Sequence, residues 1–230
     1  MNQDTTAGSP TSHVPPTADG SVGALDAEAE WDRRYSEQNQ LWSGQPNGTL
    51  VTEVAGLMPG RALDVGCGEG ADAIWLAGNG WEVTALDVSG VALERAAMHA
   101  RAAGVDVKWV HAGLVEAALE PASFDLVSAQ YPVLMRTADA TAERALLSAL
   151  VPGGVLLLVH HAGMETHPAH NGGPDPADYV WPSMVAAFIT DELKGEWEIE
   201  CDEQRTRVAP ESGAGAHHAD DRVLRARKLR

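Results

Sequence analysis

The central part of the chain alternates between two patterns of apolar and polar residues. From Gly60 onward, short apolar runs that suit β-strands are separated by longer stretches with apolar residues at helical spacing. Strands that alternate with helices are typical of βαβ units, so the pattern predicts a largely parallel sheet. The predicted strands are 62–65, 82–86, 107–111, 124–129 and 155–160, and the helices between them are 72–79, 91–103 and 141–150.

The segments after the fifth strand are predicted in the same way. A polar loop at 163–177 is long enough to have a function of its own, and a helix at 183–193 follows it. Two final strands, at 196–208 and 222–228, flank a Gly- and Ala-rich loop and are expected to pair as a hairpin.

The part of the chain in front of the first strand divides into three segments. Residues 1–24 are rich in Ser, Thr, Pro and Gly and have few apolar side chains, which predicts a disordered tail. A helix with aromatic anchors is predicted from Leu25 to about Asn39, and a second helix from Thr49 to Leu57. The loop WSGQPNG, residues 42–48, separates the two helices.

Charge and cysteine content narrow the classes of function. The 230 residues include 16 Lys and Arg against 33 Asp and Glu, for a net charge of −17. Such a charge repels phosphate backbones and anionic membranes, so we expect neither nucleic acid nor a membrane as a partner. The two cysteines do not form a disulfide framework, and no apolar stretch reaches the roughly 18–20 residues of a membrane helix. We therefore expect a cytoplasmic protein, and the sequence leaves its oligomeric state open.

The densest chemical signal is the stretch LDVGCGEGA at residues 63–71, which follows the first predicted strand. Glycines in such a turn let a ligand approach the backbone closely. The pattern also fits a dinucleotide, so an NAD(P)-dependent oxidoreductase is an alternative. Asp64 favours a cationic ligand, because its carboxylate would repel a pyrophosphate, and Asp87 ends the second strand, where a carboxylate can accept both hydroxyls of a ribose. The three glycines are Gly66, Gly68 and Gly70.

This loop with its two acids resembles the cofactor-binding loop of class I S-adenosylmethionine-dependent methyltransferases, and the resemblance covers residues 42–161. It implies a Rossmann-like, doubly wound α/β fold with a seven-stranded, mainly parallel sheet, an antiparallel last strand and an N-terminal helical lid. It also implies S-adenosyl-L-methionine as the cofactor. The residues implied to bind it are Trp42, Asp64, Gly66, Cys67, Gly68, Gly70, Asp87, Val88, Gly113, Leu114, Ala129 and Gln130.

Within that family, the WSGQPN loop is similar to that of small-molecule enzymes related to the tellurite-resistance and thiopurine methyltransferases. The predicted elements and the family resemblance together indicate one domain at 25–230, with the lid at 25–58, a cofactor-binding core at 60–161 and an acceptor-side loop and hairpin at 162–230. Gly113 stands where family members often have an acid against the adenine amino group, so only backbone contacts are expected there. The implied activity is methyl transfer to a small-molecule acceptor.

Two residues at strand ends are candidates for chemistry at the acceptor. His161 ends the fifth strand and can act as a general base near neutral pH, and Tyr131 follows the fourth strand. A base is needed only if the acceptor must lose a proton, because alignment of donor and acceptor accounts for most of the catalysis.

The remaining histidines leave an alternative of a different class open, a non-catalytic ligand- or metal-binding protein. His160 and His161 are adjacent on a strand and should point to opposite faces, which disfavours a shared metal site. We therefore predict no metal, and solvated loop positions for the others. These are His167, His170, His217 and His218.

Overall fold

The computed structural model describes residues 20–166, 175–208 and 218–230, with side chains from residue 27 onward. Its helices are α1 (Gly20–Ser36), α2 (Gly48–Val54), α3 (Ala71–Gly78), α4 (Gly90–Ala103), α5 (Thr141–Ser148) and α6 (Pro182–Glu192). Its strands are β1 (Arg61–Val65), β2 (Glu82–Asp87), β3 (Lys108–His111), β4 (Phe124–Gln130), β5 (Leu150–His161), β6 (Trp197–Thr206) and β7 (Asp220–Lys228).

All seven strands form one sheet in the order β3-β2-β1-β4-β5-β7-β6. The first five strands pair in parallel, whereas β7 lies antiparallel between β5 and β6. The seven-stranded, mainly parallel sheet with an antiparallel last strand is therefore confirmed, and so is the pairing of the last two strands as a hairpin.

Helices cover both faces of the sheet because the central strands are apolar on both sides. The adjacent residues Ala62 and Leu63 of β1 belong to two different hydrophobic clusters. One cluster includes Leu146 of α5 and Ile189 of α6, and the other includes Leu50 of α2 and residues of α3. Such two-sided burial is typical of parallel sheets and produces the doubly wound α/β fold.

Several element boundaries differ from the predicted ones. Helix α1 begins at Gly20, inside the predicted tail. The prediction missed this start because residues 20–24, GSVGA, have no apolar repeat that indicates a helix. Strand β5 begins at Leu150, since Leu150 pairs with Phe124 and the sheet register shifts beyond that pair. The rest of the predicted tail and residues 167–174 of the polar loop lie outside the described residues. None of the described helices is long and apolar enough to cross a membrane.

Candidate cofactor site

A cavity lies at the carboxyl ends of the parallel strands. It is bounded by the glycine loop after β1, by the ends of β2 and β4, and by residues 31–47, which we call the N-terminal segment. In the sheet order, β1 and β4 flank the point where chain progression reverses, which is where open α/β sheets bind their ligands. Twelve of the predicted site residues line the cavity: Trp42, Asp64, Gly66, Cys67, Gly68, Asp87, Val88, Gly113, Leu114, Gln130, Tyr131 and His161.

The glycine loop has a backbone conformation that requires glycine at its centre. Gly68 has a φ of 53°, in the left-handed region, and an added Cβ would lie 2.8 Å from the Tyr35 hydroxyl oxygen and 3.2 Å from Nε1 of Trp42. The loop is tied to β2, since the backbone N–H groups of Gly66 and Cys67 both donate to the Leu86 carbonyl. The loop is therefore a rigid cradle against which the N-terminal segment packs.

Asp64 is a buried carboxylate with one unused oxygen. Its side chain is only 2% exposed, and its Oδ2 has no hydrogen-bond partner among the described residues. Burial raises the pKa of Asp64 well above its ordinary range, and the neighbouring carboxylates Asp72 and Asp87 raise it further, against a hydrogen bond from the Ala73 backbone. A positively charged ligand in the cavity would offset these costs, so this group of carboxylates fits a cation.

Asp87 supports the glycine loop as well as facing the cavity. Its Oδ2 accepts the Gly68 backbone N–H at 2.8 Å, and its Oδ1 accepts that of Ser89 at 2.8 Å. Burial raises the pKa of Asp87, whereas these two hydrogen bonds oppose the rise. Each carboxylate oxygen keeps a further acceptor position, so hydroxyl donors can still bind.

Two acidic residues that were not predicted hold the N-terminal segment in place. Glu69 accepts the backbone N–H of Trp42 at 3.0 Å and forms an ion pair with Arg95 at 2.9 Å. Asp72 accepts both the backbone N–H and the side-chain amide of Asn47 at 2.7 Å. The sequence around Glu69 and Asp72 does not indicate these roles, because the residues of the N-terminal segment that they bind are 25 to 28 positions away in the chain.

Replacing Glu69 with Gln is expected to loosen the N-terminal segment. The variant loses the charge that pairs with Arg95, a side chain only 16% exposed, and weakens acceptance from the backbone of Leu41 and Trp42. Loss of charged hydrogen bonds costs about 1–3 kcal/mol, equivalent to roughly 5- to 150-fold faster local opening. Hydrogen exchange of the Leu41 and Trp42 amides measures this opening.

The control for that variant is Glu37→Gln, which removes an equivalent charge from an exposed pair with Arg33. Exposed pairs contribute about 0–1 kcal/mol, so exchange at the two amides should stay near the wild-type rate. Unchanged protection in Glu69→Gln itself would show that Glu69 does not hold the segment.

The region after β3 forms the wall next to Val88. Gly113 and Leu114 line the cavity there, and a side chain at Gly113 would collide with the carboxylate of Glu116. That carboxylate is the far end of a flexible side chain and can move aside, so the position does not require glycine.

Two predicted cofactor residues, Gly70 and Ala129, are not among the residues that line the cavity, and their role in binding stays a prediction. Gly70 is the N-cap residue of α3, where an added Cβ would lie 2.8 Å from Cβ of Ala96 and 2.9 Å from the Trp109 ring, so it serves close packing. Ala129 is fully buried in the hydrophobic core. Cys67 lines the cavity, but burial raises the pKa of its thiol well above the ordinary value, so it remains protonated and is a poor nucleophile.

Tyr131 and His161 meet at the ends of β4 and β5. Their rings stack with centroids 4.2 Å apart, and the Tyr131 hydroxyl donates to Oδ2 of Asp221 at 2.9 Å while accepting from Nε of Arg207 at 2.9 Å. Burial, with the nearby Asp221 carboxylate, raises the pKa of Tyr131. Tyr131 therefore acts as a hydrogen-bond donor to Asp221 rather than as a base.

The two adjacent histidines differ in their surroundings. His160 packs on Trp181, with ring centroids 4.2 Å apart, and burial lowers its pKa to about 4, while His161 contributes to the cavity wall. Among the described residues, no group of three or more His, Cys, Asp or Glu side chains could hold a metal ion. The predicted loop histidines His167, His170 and His217 lie outside those residues.

Comparison with known proteins assigns the family. Residues 62–154 match the profile of the methyltransferase domain. An uncharacterized methyltransferase of Mycobacterium tuberculosis is 34% identical over 138 residues, which are 59% of this chain and 64% of that protein. The chain thus spans just under two thirds of that relative. A ubiquinone biosynthesis O-methyltransferase of Burkholderia vietnamiensis is 31% identical over 155 residues, covering 59% of this chain and 67% of that protein.

Solved structures show the same fold. The crystal structure of TehB from Haemophilus influenzae superposes with a TM-score of 0.58, at 15% identity, over 88% of this chain and 67% of that one. This superposition agrees with the sheet order, with the position of the cavity at the end of β1 and with the sequence relatives. The chain belongs to the methyltransferase family and has the fold expected of its class I members.

Proposed function

We propose that the protein transfers a methyl group from S-adenosyl-L-methionine to a small-molecule acceptor. The observation that carries the proposal is the buried, unpaired Oδ2 of Asp64 in a cavity that Asp72 and Asp87 also line. S-adenosylmethionine carries a sulfonium and an ammonium group, and both would be stabilised by these carboxylates. When bound, it supplies an electrophilic methyl carbon, so the protein's main tasks are alignment and exclusion of water.

The described residues suggest how the donor would be held. The backbone of Gly66 and Gly68 would surround the methionine portion, and Asp87 would accept the ribose hydroxyls. Val88 with the backbone of Gly113 and Leu114 would flank the adenine, and Gln130 would face the methionine end. All of these residues line the cavity.

The N-terminal segment would act as a lid over the bound donor. Trp42 donates its indole N–H to the Tyr35 hydroxyl at 2.8 Å, and both side chains lie against Gly68 and line the cavity. Because Glu69 and Asp72 attach this segment to the glycine loop and α3, closure and donor binding would stabilise each other.

The acidity of the cavity argues against the oxidoreductase alternative. A dinucleotide would place its pyrophosphate near the glycine loop, where Asp64 and Asp72 would repel it.

Two features favour a small acceptor over nucleic acid. Residues of the N-terminal segment form part of the cavity wall, and the net charge of −17 disfavours a phosphate backbone. The two free cysteines accord with action in the cytoplasm.

Titration calorimetry of the purified chain tests the proposal. We expect S-adenosylmethionine and S-adenosylhomocysteine to bind with one ligand per chain and NAD⁺ and NADP⁺ to release no heat. Native mass spectrometry of the freshly purified protein should show S-adenosylmethionine or S-adenosylhomocysteine as a bound adduct. Binding of NAD⁺ in preference to S-adenosylmethionine would refute the proposal.

A further inference from the structure

A group of polar side chains lies where β5 pairs with β7, and we call it the β5–β7 cluster. Its members are Thr49, Tyr131, His161, Arg207 and Asp221. His161 and Asp221 are direct neighbours across the antiparallel pair of β5 and β7, so their side chains share one face of the sheet. Tyr131, His161 and Arg207 also line the cavity, which connects the cluster to the proposed reaction.

Asp221 is the centre of this cluster and is completely buried. Its Oδ2 accepts hydrogen bonds from the hydroxyls of Tyr131 at 2.9 Å and Thr49 at 3.2 Å. Its Oδ1 faces Nδ1 of His161 and Nε of Arg207, each at 3.7 Å. Two hydroxyl donors and one guanidinium therefore compensate a charge that would otherwise be costly to bury.

The arrangement of these atoms determines the tautomer of His161. Nδ1 of His161 and Oδ1 of Asp221 are both buried and have no hydrogen-bond partner among the described residues, although they face each other. A carboxylate can only accept, so it favours the proton on Nδ1 of the neutral imidazole. Nε2 is then left with its lone pair and can accept a proton.

We propose that Asp221 is a positioning residue that prepares His161 as a general base, and that the methyl acceptor is a weakly acidic hydroxyl such as a phenol. This inference rests on the proposed function and specifies its acceptor class. In the step, the hydroxyl proton moves to Nε2 of His161 and an oxygen electron pair forms the bond to the methyl carbon. The carbon–sulfur bond breaks, its electron pair stays on sulfur, and the resulting imidazolium is paired with Asp221.

Charge and proton balance favour a hydroxyl over other acceptors. Thiolates, selenium and tellurium species attack without a base, and an amine attacks through its own lone pair. Arg207 is the one Arg or Lys among the described residues that line the cavity, and its positive charge favours a developing oxyanion and disfavours an ammonium. The acidic residues that line the cavity belong instead to β1, the glycine loop, α3 and β2: Asp64, Glu69, Asp72 and Asp87.

Nitrogen-15 NMR of the histidine rings tests the inference without any acceptor. With the protein bound to S-adenosylhomocysteine at pH 7.5, we expect His161 to carry its proton on Nδ1. His160 is an internal reference of opposite tautomer, because its Nδ1 accepts the backbone N–H of His161 at 3.1 Å and its proton is therefore on Nε2. An Nε2–H tautomer for His161 in the wild-type protein would overturn the inference.

The variant Asp221→Asn should reverse the tautomer of His161. Because Tyr131 and Thr49 both donate to the Oδ2 position, the Asn oxygen would take that position and its NH₂ group would face His161. That donor requires an acceptor at Nδ1, so the proton would move to Nε2. Thr49→Val removes one hydroxyl donor but keeps the carboxylate, and His161 should stay in its wild-type tautomer. The wild-type spectrum decides the question even if the Asn variant does not fold.

Activity tests the acceptor class with phenol, thiophenol and aniline as matched probes, scored by S-adenosylhomocysteine formation. We expect methylation of phenol, and at least about a 100-fold lower kcat in Asp221→Asn with the KM for S-adenosylmethionine within twofold of wild type. Methylation of aniline or thiophenol at equal rates in the two proteins would overturn the inference. Failure of wild-type protein to bind S-adenosylmethionine would instead refute the proposed function.

Discussion

Replacing Asp64 with Asn should weaken S-adenosylmethionine binding by about 10- to 150-fold, because one charge-assisted interaction is worth roughly 1.5–3 kcal/mol. Asn has nearly the same shape and leaves the glycine loop intact, so the loss would report the missing charge opposite the cationic ligand. Calorimetry measures the affinity directly. The matched control is Asp106→Asn, which makes the same change in net charge at an exposed site away from the cavity wall.

The same substitution is expected to raise the unfolding temperature of the ligand-free protein. The pKa of Asp64 is raised on folding, so between its unfolded and folded pKa values the native state binds more protons than the unfolded state. Stability therefore falls as the pH rises through this interval, and the full cost is present above the folded pKa. The Asn variant avoids the free-energy cost of burying the charge of Asp64 and also the repulsion between that charge and Asp72 and Asp87.

Thermal unfolding at a series of pH values checks this expectation. The difference in melting temperature between Asp64→Asn and wild type should grow from about pH 4 upward, because an unfolded Asp has its ordinary pKa near 4. Added S-adenosylmethionine should stabilise the wild type more than the variant. A variant that is less stable than wild type at neutral pH and binds the donor equally well would contradict the role assigned to Asp64.

Replacing Asp87 with Ala should affect both ligand affinity and the cradle that holds the ligand. Loss of the acceptor for the ribose hydroxyls costs about 1.5–3 kcal/mol of binding. In addition, the backbone N–H groups of Gly68 and Ser89 lose their acceptor, and each buried donor left unpaired costs about 1–3 kcal/mol of stability. We expect at least a 10-fold weaker Kd and a lower melting temperature.

Ser89→Ala separates these two effects. Its hydroxyl caps α4 by accepting the Ala92 backbone N–H, donates to Oδ1 of Asp32 and does not line the cavity, while its backbone N–H to Asp87 is retained. Loss of such a cap costs about 1 kcal/mol of stability, so the melting temperature should fall, while the affinity should fall much less than in Asp87→Ala because both oxygens of Asp87 are kept. Unchanged donor affinity in Asp87→Ala would mean that the ribose is held elsewhere.

The cavity wall around the glycine loop could be predicted from sequence because its residues are local. Asp64 and the glycines lie within one strand-to-helix turn, and Asp87 ends the neighbouring strand, where parallel pairing brings the carboxyl ends together. At Gly70 the structure adds a reason for glycine that the motif does not show, since an added Cβ would meet Ala96 and Trp109. A glycine's role depends on what lies next to it in space.

By itself, the sequence determined the alternation of strands and helices, the glycine turn and the two acids beside it, because each depends on neighbours within a few residues or on the regular geometry of a parallel sheet. Only the tertiary structure decided which distant carboxylates act at the cavity. Glu69 and Asp72 hold the N-terminal segment from 25 to 28 residues away, and Asp221 meets Tyr131 across 90 residues. Such contacts depend on packing between separate elements, which apolar periodicity and motif spacing do not encode.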